Sequence, residues 1–131
     1  MNMKIQIDFF KNELIDAIGA GIYEISVCKN GKSSTLYVGE SVFVLVRCAS
    51  HLYNLKKNPE YLGFTEKTIE DSEISLCFHL IQQEKDASIR KKDEKKIIKE
   101  KNPLSQSGIS DRQKNIEERI EALTKFLEEL E

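Results

Sequence analysis

The sequence contains little of what would cross-link a small fold or anchor it in a membrane. It has no tryptophan, two prolines and three cysteines. Cys28, Cys48 and Cys77 are odd in number and share no CxxC spacing, so they indicate neither a disulfide framework nor a zinc site. No apolar run approaches the roughly 20 residues that span a bilayer. The segment MNMKIQIDFF also lacks the order of a signal peptide, so we expect a cytoplasmic protein with no membrane partner.

The charge is nearly balanced overall but unevenly distributed. The chain has 131 residues, which is the usual size of one domain. Its formal net charge is −2 at pH 7. Seven basic and three acidic residues lie between Arg90 and Lys101, whereas four basic and seven acidic residues lie between Asp111 and Glu131. A basic helix on a nearly neutral body suits phosphate binding, but such a run is also typical of a solvated helix face.

Apolar patterning predicts a small α/β fold. Strands are predicted over 22–29, 35–39 and 73–81, with Asn30-Gly31 opening the hairpin turn between the first two. Residues 8–18 have apolar side chains at helical spacing, so residues 1–20 are expected to form an N-terminal helical extension. The expected sheet has three antiparallel strands flanked by helices.

Residues 41–55 fit either a strand or a helix. Val42 to Val46 have strand propensity, but apolar residues from Val42 to Leu52 recur at helical spacing and Ser41 could cap a helix. We predict a helix over 42–55. Another helix is predicted over 86–101, and a last one begins at Ser110, with Gln113 completing a capping-box pattern.

Two glycine-flanked tyrosines lie in the predicted hairpin. They belong to GIY at 21–23 and YVG at 37–39; Arg47 follows Tyr37 by ten residues, and His51 follows Arg47 by four. On these motifs the sequence resembles the GIY-YIG nuclease family, whose signature is such a pair of tripeptides followed by an Arg and a His in the next helix. The resemblance runs from about Gly21 to Gln106, which suggests a nuclease-like domain over 21–108 and a separate amphipathic helix over 109–131.

The downstream sequence extends the resemblance. The family places a metal-binding glutamate on a later helix, commonly followed by Pro and Asn, and Glu94, Pro103 and Gln106 fit these positions. Gln106 replaces the usual Asn. The tyrosines are also further apart than in compact members, which we attribute to a longer hairpin turn. The resemblance implies a metal-dependent DNA endonuclease that uses Mg²⁺ or Mn²⁺.

The residue types suit phosphodiester hydrolysis without the family. Arg47 offers a planar bidentate fork for a phosphate, and Glu94 offers the hard oxygen ligand that Mg²⁺ prefers. On a helix, Arg47 and His51 lie one turn apart on one face. Either Tyr23 or Tyr37 could act as general base, assisted by His51, if nearby positive charge depresses its pKa. These five residues are the predicted catalytic set.

Each of these residues alone is commonly an ordinary surface or core residue, and only the joint pattern points to catalysis. The alternative is a catalytically inactive DNA-binding or protein-interaction module of the same fold. The predicted contacts to DNA are Arg47, Lys56, Lys57, Lys91, Lys95 and Gln106. His79 has no place in this scheme and is interpreted as structural.

The C-terminal segment has a short heptad pattern. Its apolar positions are Ile116, Ile120, Leu123, Leu127 and Leu130. Such a helix can pack on its own domain or pair with a second copy, giving a homodimer through 110–131. Both alternatives stay open on the sequence alone.

Overall fold

The computed structural model describes residues 2–107 and 113–129, and within these ranges it is an α/β fold of four strands and three α-helices. The strands are β1 (Gln6–Phe9), β2 (Gly21–Lys29), β3 (Lys32–Ser41) and β4 (Ser75–Gln83). The helices are α1 (Val44–Lys57), α2 (Ala87–Lys101) and α3 (Ile116–Glu128). Two 3₁₀ helices, Pro59–Leu62 and Thr68–Glu70, lie between α1 and β4. Among the described residues, no helix has both the length and the apolar character needed to cross a bilayer.

The sheet is mixed rather than antiparallel. Its strand order is β1-β4-β2-β3; β2 runs antiparallel to both β3 and β4, whereas β1 runs parallel to β4. The three predicted strands are confirmed. The expectation of a three-stranded antiparallel sheet is wrong, because a fourth strand adds to its edge.

That fourth strand comes from the segment for which a helix was predicted. Phe10 and Asn12 have left-handed φ angles of 53° and 66°, which interrupt any right-handed helix over 8–18. Phe10 is fully buried in the core, whereas Ile15 is 78% exposed, so the helix-like spacing has no single buried face. The predicted N-terminal helix is therefore wrong, and residues 6–9 pair with β4 instead.

The hairpin between β2 and β3 brings both tyrosines to one face of the sheet. Its turn is Asn30-Gly31, and both residues have positive φ angles, 55° and 76°, as tight two-residue turns require. The turn has only two residues, so the predicted longer turn is wrong. The strands β2 and β3 instead extend beyond their predicted bounds. The register shifts between Ile25 and Ser26, which leaves Leu36 as the extra residue of a bulge. Tyr37 therefore joins Tyr23 in the main apolar core.

The helix predicted over 42–55 is confirmed as α1, but a different face is buried. Its buried residues are Val44, Cys48, His51 and Leu55. Val42 and Val46, which the predicted stripe would bury, are 58% and 69% exposed. Ser41 ends β3 rather than capping the helix. The face that α1 turns inward is therefore the one that carries His51.

Helix α2 covers the opposite face of the sheet. Ile98 packs with Ile22 and Val38 in a second, smaller apolar cluster. The helix is capped by Asp86, whose side chain accepts a hydrogen bond from the Ile89 amide. It ends before Asn102, as the Asn-Pro sequence predicts.

Helix α3 packs on its own chain. It begins at Ile116 after the cap residue Asn115, so the predicted start at Ser110 is not observed; Ser110 itself and Leu130 lie outside the described residues. Leu123 and Leu127 are buried in the main core. This packing corresponds to the alternative in which the helix packs on its own domain, and it buries two leucines of the heptad pattern.

Candidate active site

Four of the five predicted catalytic residues meet between the sheet and α1. Tyr23 and Tyr37 lie on the sheet face that α1 covers, and Arg47 and His51 lie one turn apart on that helix. Tyr23, Tyr37 and His51 are at most 3% exposed. Arg47 is exposed, so it is the member of this cluster that solvent reaches. We call these four residues the tyrosine cluster.

The aromatic rings of the tyrosine cluster lie within a few ångström of one another. The hydroxyl of Tyr23 lies 2.7 Å from Nε2 of His51. The rings of Tyr23 and Tyr37 are stacked with their centroids 6.2 Å apart, and the Tyr37 ring lies 4.8 Å from that of His51. Residues separated by up to 28 positions thus form one polar group in an otherwise apolar core.

Arg47 links the two tyrosines from the solvent side. Its guanidinium interacts electrostatically with both Tyr23 and Tyr37. Burial by itself would lower the pKa of Arg47, but the neighbouring tyrosine oxygens outweigh it and raise the pKa above its ordinary value. Arg47 is therefore a permanent cation whose charge acts on two tyrosines.

Burial suppresses ionisation within the cluster. It lowers the pKa of His51 to about 3, with the charge of Arg47 acting in the same direction, so His51 is neutral near pH 7. Burial also raises the pKa of Tyr23 well above its usual value, although Arg47 opposes this shift. A neutral histidine that is hydrogen-bonded to a neutral tyrosine is suited to accept the proton of that tyrosine.

The glycines of the two tripeptides allow close packing at this site. A Cβ on Gly39 would overlap the hydroxyl of Tyr23 and lie 2.9 Å from Cε1 of Tyr37. A Cβ on Gly21 would lie 2.5 Å from the backbone oxygen of Gln82 on β4. Only a residue without a side chain fits at either position, which explains why glycine flanks each tyrosine.

Tyr61 is a fifth member of the site that the sequence did not predict. Its hydroxyl lies 2.7 Å from Nδ1 of His51, on the other side of the imidazole ring from Tyr23. Tyr61 belongs to the 3₁₀ helix Pro59–Leu62, which follows α1. Neither periodicity nor spacing marks it, because tertiary packing alone brings it to His51.

Glu94 lies on a different element from the tyrosine cluster. It is 5% exposed and shares the buried face of α2 with Arg90 and Ile98. Arg90 donates a 2.6 Å hydrogen bond to Glu40, and Ile98 packs on Val38, so this face of α2 lies against the β3 segment that follows Tyr37. Glu94 therefore lies on the buried face of a helix that packs against the strand carrying Tyr37.

The donor chemistry of Glu94 fits a hard divalent cation. Within residues 2–107 and 113–129, no group of three or more His, Cys, Asp or Glu side chains is arranged to hold a metal ion. Mg²⁺ needs no such cage, because it keeps several of its waters and commonly takes only one or two carboxylates. Glu94 could therefore serve as the protein ligand for Mg²⁺ or Mn²⁺, with water completing the coordination.

The predicted DNA contacts divide into exposed and buried residues. Lys56 and Lys57 are exposed at the end of α1, and Lys91 and Lys95 are exposed on α2. Gln106 is fully buried, and its side-chain amide forms two 2.8 Å hydrogen bonds with the backbone of Val38. Gln106 therefore closes the edge of β3, and we do not include it among the groups that could contact DNA.

His79, which was interpreted as structural, contacts a buried glutamate of β2. Its Nε2 lies 2.5 Å from a carboxylate oxygen of Glu24, on the face of the sheet away from the tyrosine cluster. Lys101 contacts the same carboxylate at 3.1 Å, which joins α2 to β2. This group anchors α2 rather than extending the candidate site.

Comparison with known proteins adds no family to this picture. No protein-family model, no curated protein and no solved structure matches the chain. The resemblance to the GIY-YIG nucleases rests on the residues named above.

Proposed function

We propose that this protein is a metal-dependent DNA endonuclease that hydrolyses phosphodiester bonds. The observation that carries the proposal is the tyrosine cluster, in which the charge of Arg47 acts on Tyr23 and Tyr37 and the Tyr23 hydroxyl is hydrogen-bonded to His51. Hydrolysis of a phosphodiester requires positive charge at the phosphate and a base for the attacking water. The cluster offers both, because the exposed Arg47 supplies the positive charge and Tyr23 with His51 supplies the base.

Arg47 would hold the scissile phosphate. A guanidinium forms paired hydrogen bonds with phosphate oxygens and keeps its charge at any working pH. It would stabilise the negative charge that the phosphate gathers in the transition state. A phosphate bound to Arg47 would also offset the positive charge that helps to lower the pKa of His51, and so make His51 a better proton acceptor.

Tyr23 would act as the base with His51 as its proton acceptor. The oxygen of Tyr23 takes a proton from the attacking water while its own proton passes to Nε2 of His51, 2.7 Å away. This relay needs no free phenolate, which the raised pKa of Tyr23 disfavours. Tyr37, stacked on Tyr23 and interacting electrostatically with Arg47, would orient the guanidinium.

Glu94 would hold the Mg²⁺ or Mn²⁺ ion that the family resemblance implies. Such an ion, when bound, supplies positive charge at the phosphate and stabilises the leaving oxygen. The exposed lysines Lys56, Lys57, Lys91 and Lys95 would contact the DNA backbone, which positions the duplex without specifying its sequence.

Substitution of Glu94 tests this assignment. Glu94→Ala should abolish cleavage while DNA binding persists, because binding depends mainly on phosphate contacts elsewhere.

Arg47→Ala should reduce kcat by about 10²–10³-fold, the usual cost of removing one group that stabilises transition-state charge. Cleavage is followed on a plasmid, and binding is titrated at two salt concentrations, where affinity should fall steeply as salt rises.

The matched control is Glu100→Ala, which removes an exposed carboxylate from the same helix and should cleave like the unaltered protein. Circular dichroism of each variant shows whether the fold is kept. Full activity in folded Glu94→Ala or Arg47→Ala would exclude this site.

A further inference from the structure

An apolar groove lies on the surface between the edge strand β1 and helix α1. Ile7 and Phe9 line it from the strand, and Leu52 and Tyr53 line it from the helix, around a volume of about 440 Å³. Within the described part of the chain, the one charged residue that lines the groove is Lys56. The groove thus combines apolar walls, an aromatic ring and a single cation.

The outer face of α1 beside this groove combines aromatic and basic side chains. Phe43, at the start of the helix, and Tyr53 are 58% and 62% exposed, and Arg47, Lys56 and Lys57 are exposed as well. The helix itself contains no acidic residue. Exposed aromatic rings among cations suit a single nucleic-acid strand, because bases stack on the rings and phosphates pair with the cations.

Tyr53 joins the groove to this outer face. Nζ of Lys57 lies 5.5 Å from the centroid of its ring, in a cation–π contact. Tyr53 follows Arg47 by six residues, which corresponds to about 9 Å along the helix axis. Successive phosphates of one strand are about 3.4 Å apart along a duplex, so a strand with a phosphate at Arg47 reaches Tyr53 within a few nucleotides.

We propose that this groove and the outer face of α1 bind unpaired bases of a DNA strand, with one base stacked on Tyr53 and the neighbouring phosphates held by Lys56 and Lys57. The charge of the helix matches a polyanion, and the apolar groove matches the flat rings that this polyanion carries.

The inference deepens the proposed nuclease function, and its consequence for catalysis rests on that function. In an intact duplex the bases are stacked and paired, so their faces are not available to a protein side chain. The preferred substrate would therefore be DNA with unpaired bases, such as a branched or locally melted duplex.

The test is fluorescence anisotropy of labelled oligonucleotides with the full chain in EDTA, at a salt concentration high enough to weaken phosphate contacts. The probes are a thymidine strand, an abasic strand of equal length and a duplex of equal length. The thymidine strand should bind about 10-fold or more tightly than either of the others, because the abasic strand keeps the phosphates but has no bases and the duplex hides them.

Tyr53→Ala should weaken binding of the thymidine strand about 10-fold or more and leave binding of the abasic strand unchanged. Tyr53→Phe keeps the ring and should bind like the unaltered protein. Ile89→Ala is the matched control, because it removes a 47% exposed apolar side chain from α2 and should change no affinity. Tyr53 is itself largely exposed, so its replacement should leave the fold intact, as circular dichroism would show.

Equal affinity for the thymidine and abasic strands, or equal binding of the thymidine strand by Tyr53→Ala and Tyr53→Phe, would overturn the proposal. Self-association that Tyr53→Ala abolishes while DNA binding stays the same would also overturn it, because the groove would then hold a second copy of the chain. Cleavage in Mg²⁺ is read separately. Base-dependent binding without cleavage would support this inference and reject the nuclease function, whereas cleavage without base-dependent binding would do the reverse.

Discussion

In the two glycine-containing tripeptides, the absence of one Cβ atom decides how closely the neighbouring groups pack. Gly39 leaves space for the hydroxyl of Tyr23, and Gly21 lies against the backbone of β4. The tyrosine hydroxyls can therefore lie close to β3 and still reach Arg47 and His51. The conformational freedom of glycine is not required at either position; the absence of a Cβ is.

A methyl group at Gly39 should therefore disrupt the site. Gly39→Ala should displace the Tyr23 ring, break its hydrogen bond with His51 and reduce cleavage on the order of 10²-fold or more. Gly19→Ala is the control, because a Cβ at Gly19 would meet nothing within 4 Å. A Gly39→Ala protein that cleaves as fast as Gly19→Ala would show that this close approach is unimportant.

The pKa of His51 gives a second prediction at this scale. Burial lowers that pKa to about 3, so the unfolded chain, with a histidine near 6.5, binds the proton more readily. The free energy of unfolding should be unaffected by His51 above pH 6.5 and should fall by up to about 1.4 kcal/mol per pH unit as the pH drops from 6 to 5. Urea unfolding at several pH values measures this slope.

His51→Asn should lose that slope, whereas His79→Asn should keep it. Equal slopes in His51→Asn and the unaltered protein would mean that His51 is not held neutral by burial.

The residues of the site were predictable to different degrees. Tyr23 and Tyr37 are marked by their glycines, and Arg47 and His51 by their four-residue spacing on a helix. Tyr61 could not be predicted, since its role depends on how the segment after α1 folds back over His51. Gln106 was predicted to contact DNA, but its buried bonds with Val38 are a consequence of tertiary packing that no local pattern encodes.

At the scale of elements, predictions failed where the partner is distant in the chain. The strands β2, β3 and β4 have clear alternation and turn signals, and each is found close to its predicted place. Strand β1 was missed because it is stabilised by parallel pairing with β4, far along the sequence, rather than by its own pattern. The buried face of α1 was also misjudged, because the core it meets contains polar tyrosine hydroxyls that accommodate His51.

Helix α3 should contribute stability to the domain rather than join two chains. Leu123→Ala removes a fully buried side chain from the main core and should lower the free energy of unfolding by about 2–5 kcal/mol. Ile116→Ala, at a 41% exposed position of the same helix, should change it by no more than about 0.5 kcal/mol. Thermal unfolding should not depend on protein concentration.

A melting temperature that rises with protein concentration would contradict this view, because it would show that association stabilises the fold. In that case the expected homodimer through 110–131 would be the better account of the tail.

At the scale of the whole molecule, the two faces of the sheet have different contents. The α1 face carries the tyrosine cluster within the larger core, whereas the α2 face carries a smaller apolar cluster and the ion pairs that fix Glu94's helix. Exposed lysines lie on both helices. Lys56 lines the same surface groove as Ile7 and Phe9 of β1, at the edge of the sheet opposite to β3.

The most direct test of the central claim is incubation of supercoiled plasmid, and of branched and single-stranded DNA, with the full-length protein in Mg²⁺, in Mn²⁺ and in EDTA. Nicked or linear product should form with either metal, should be absent in EDTA, and should be strongly reduced when Arg47→Ala replaces the unaltered protein. Salt-dependent binding of these DNAs without cleavage in either metal would contradict the endonuclease assignment and favour a DNA-binding module of the same fold.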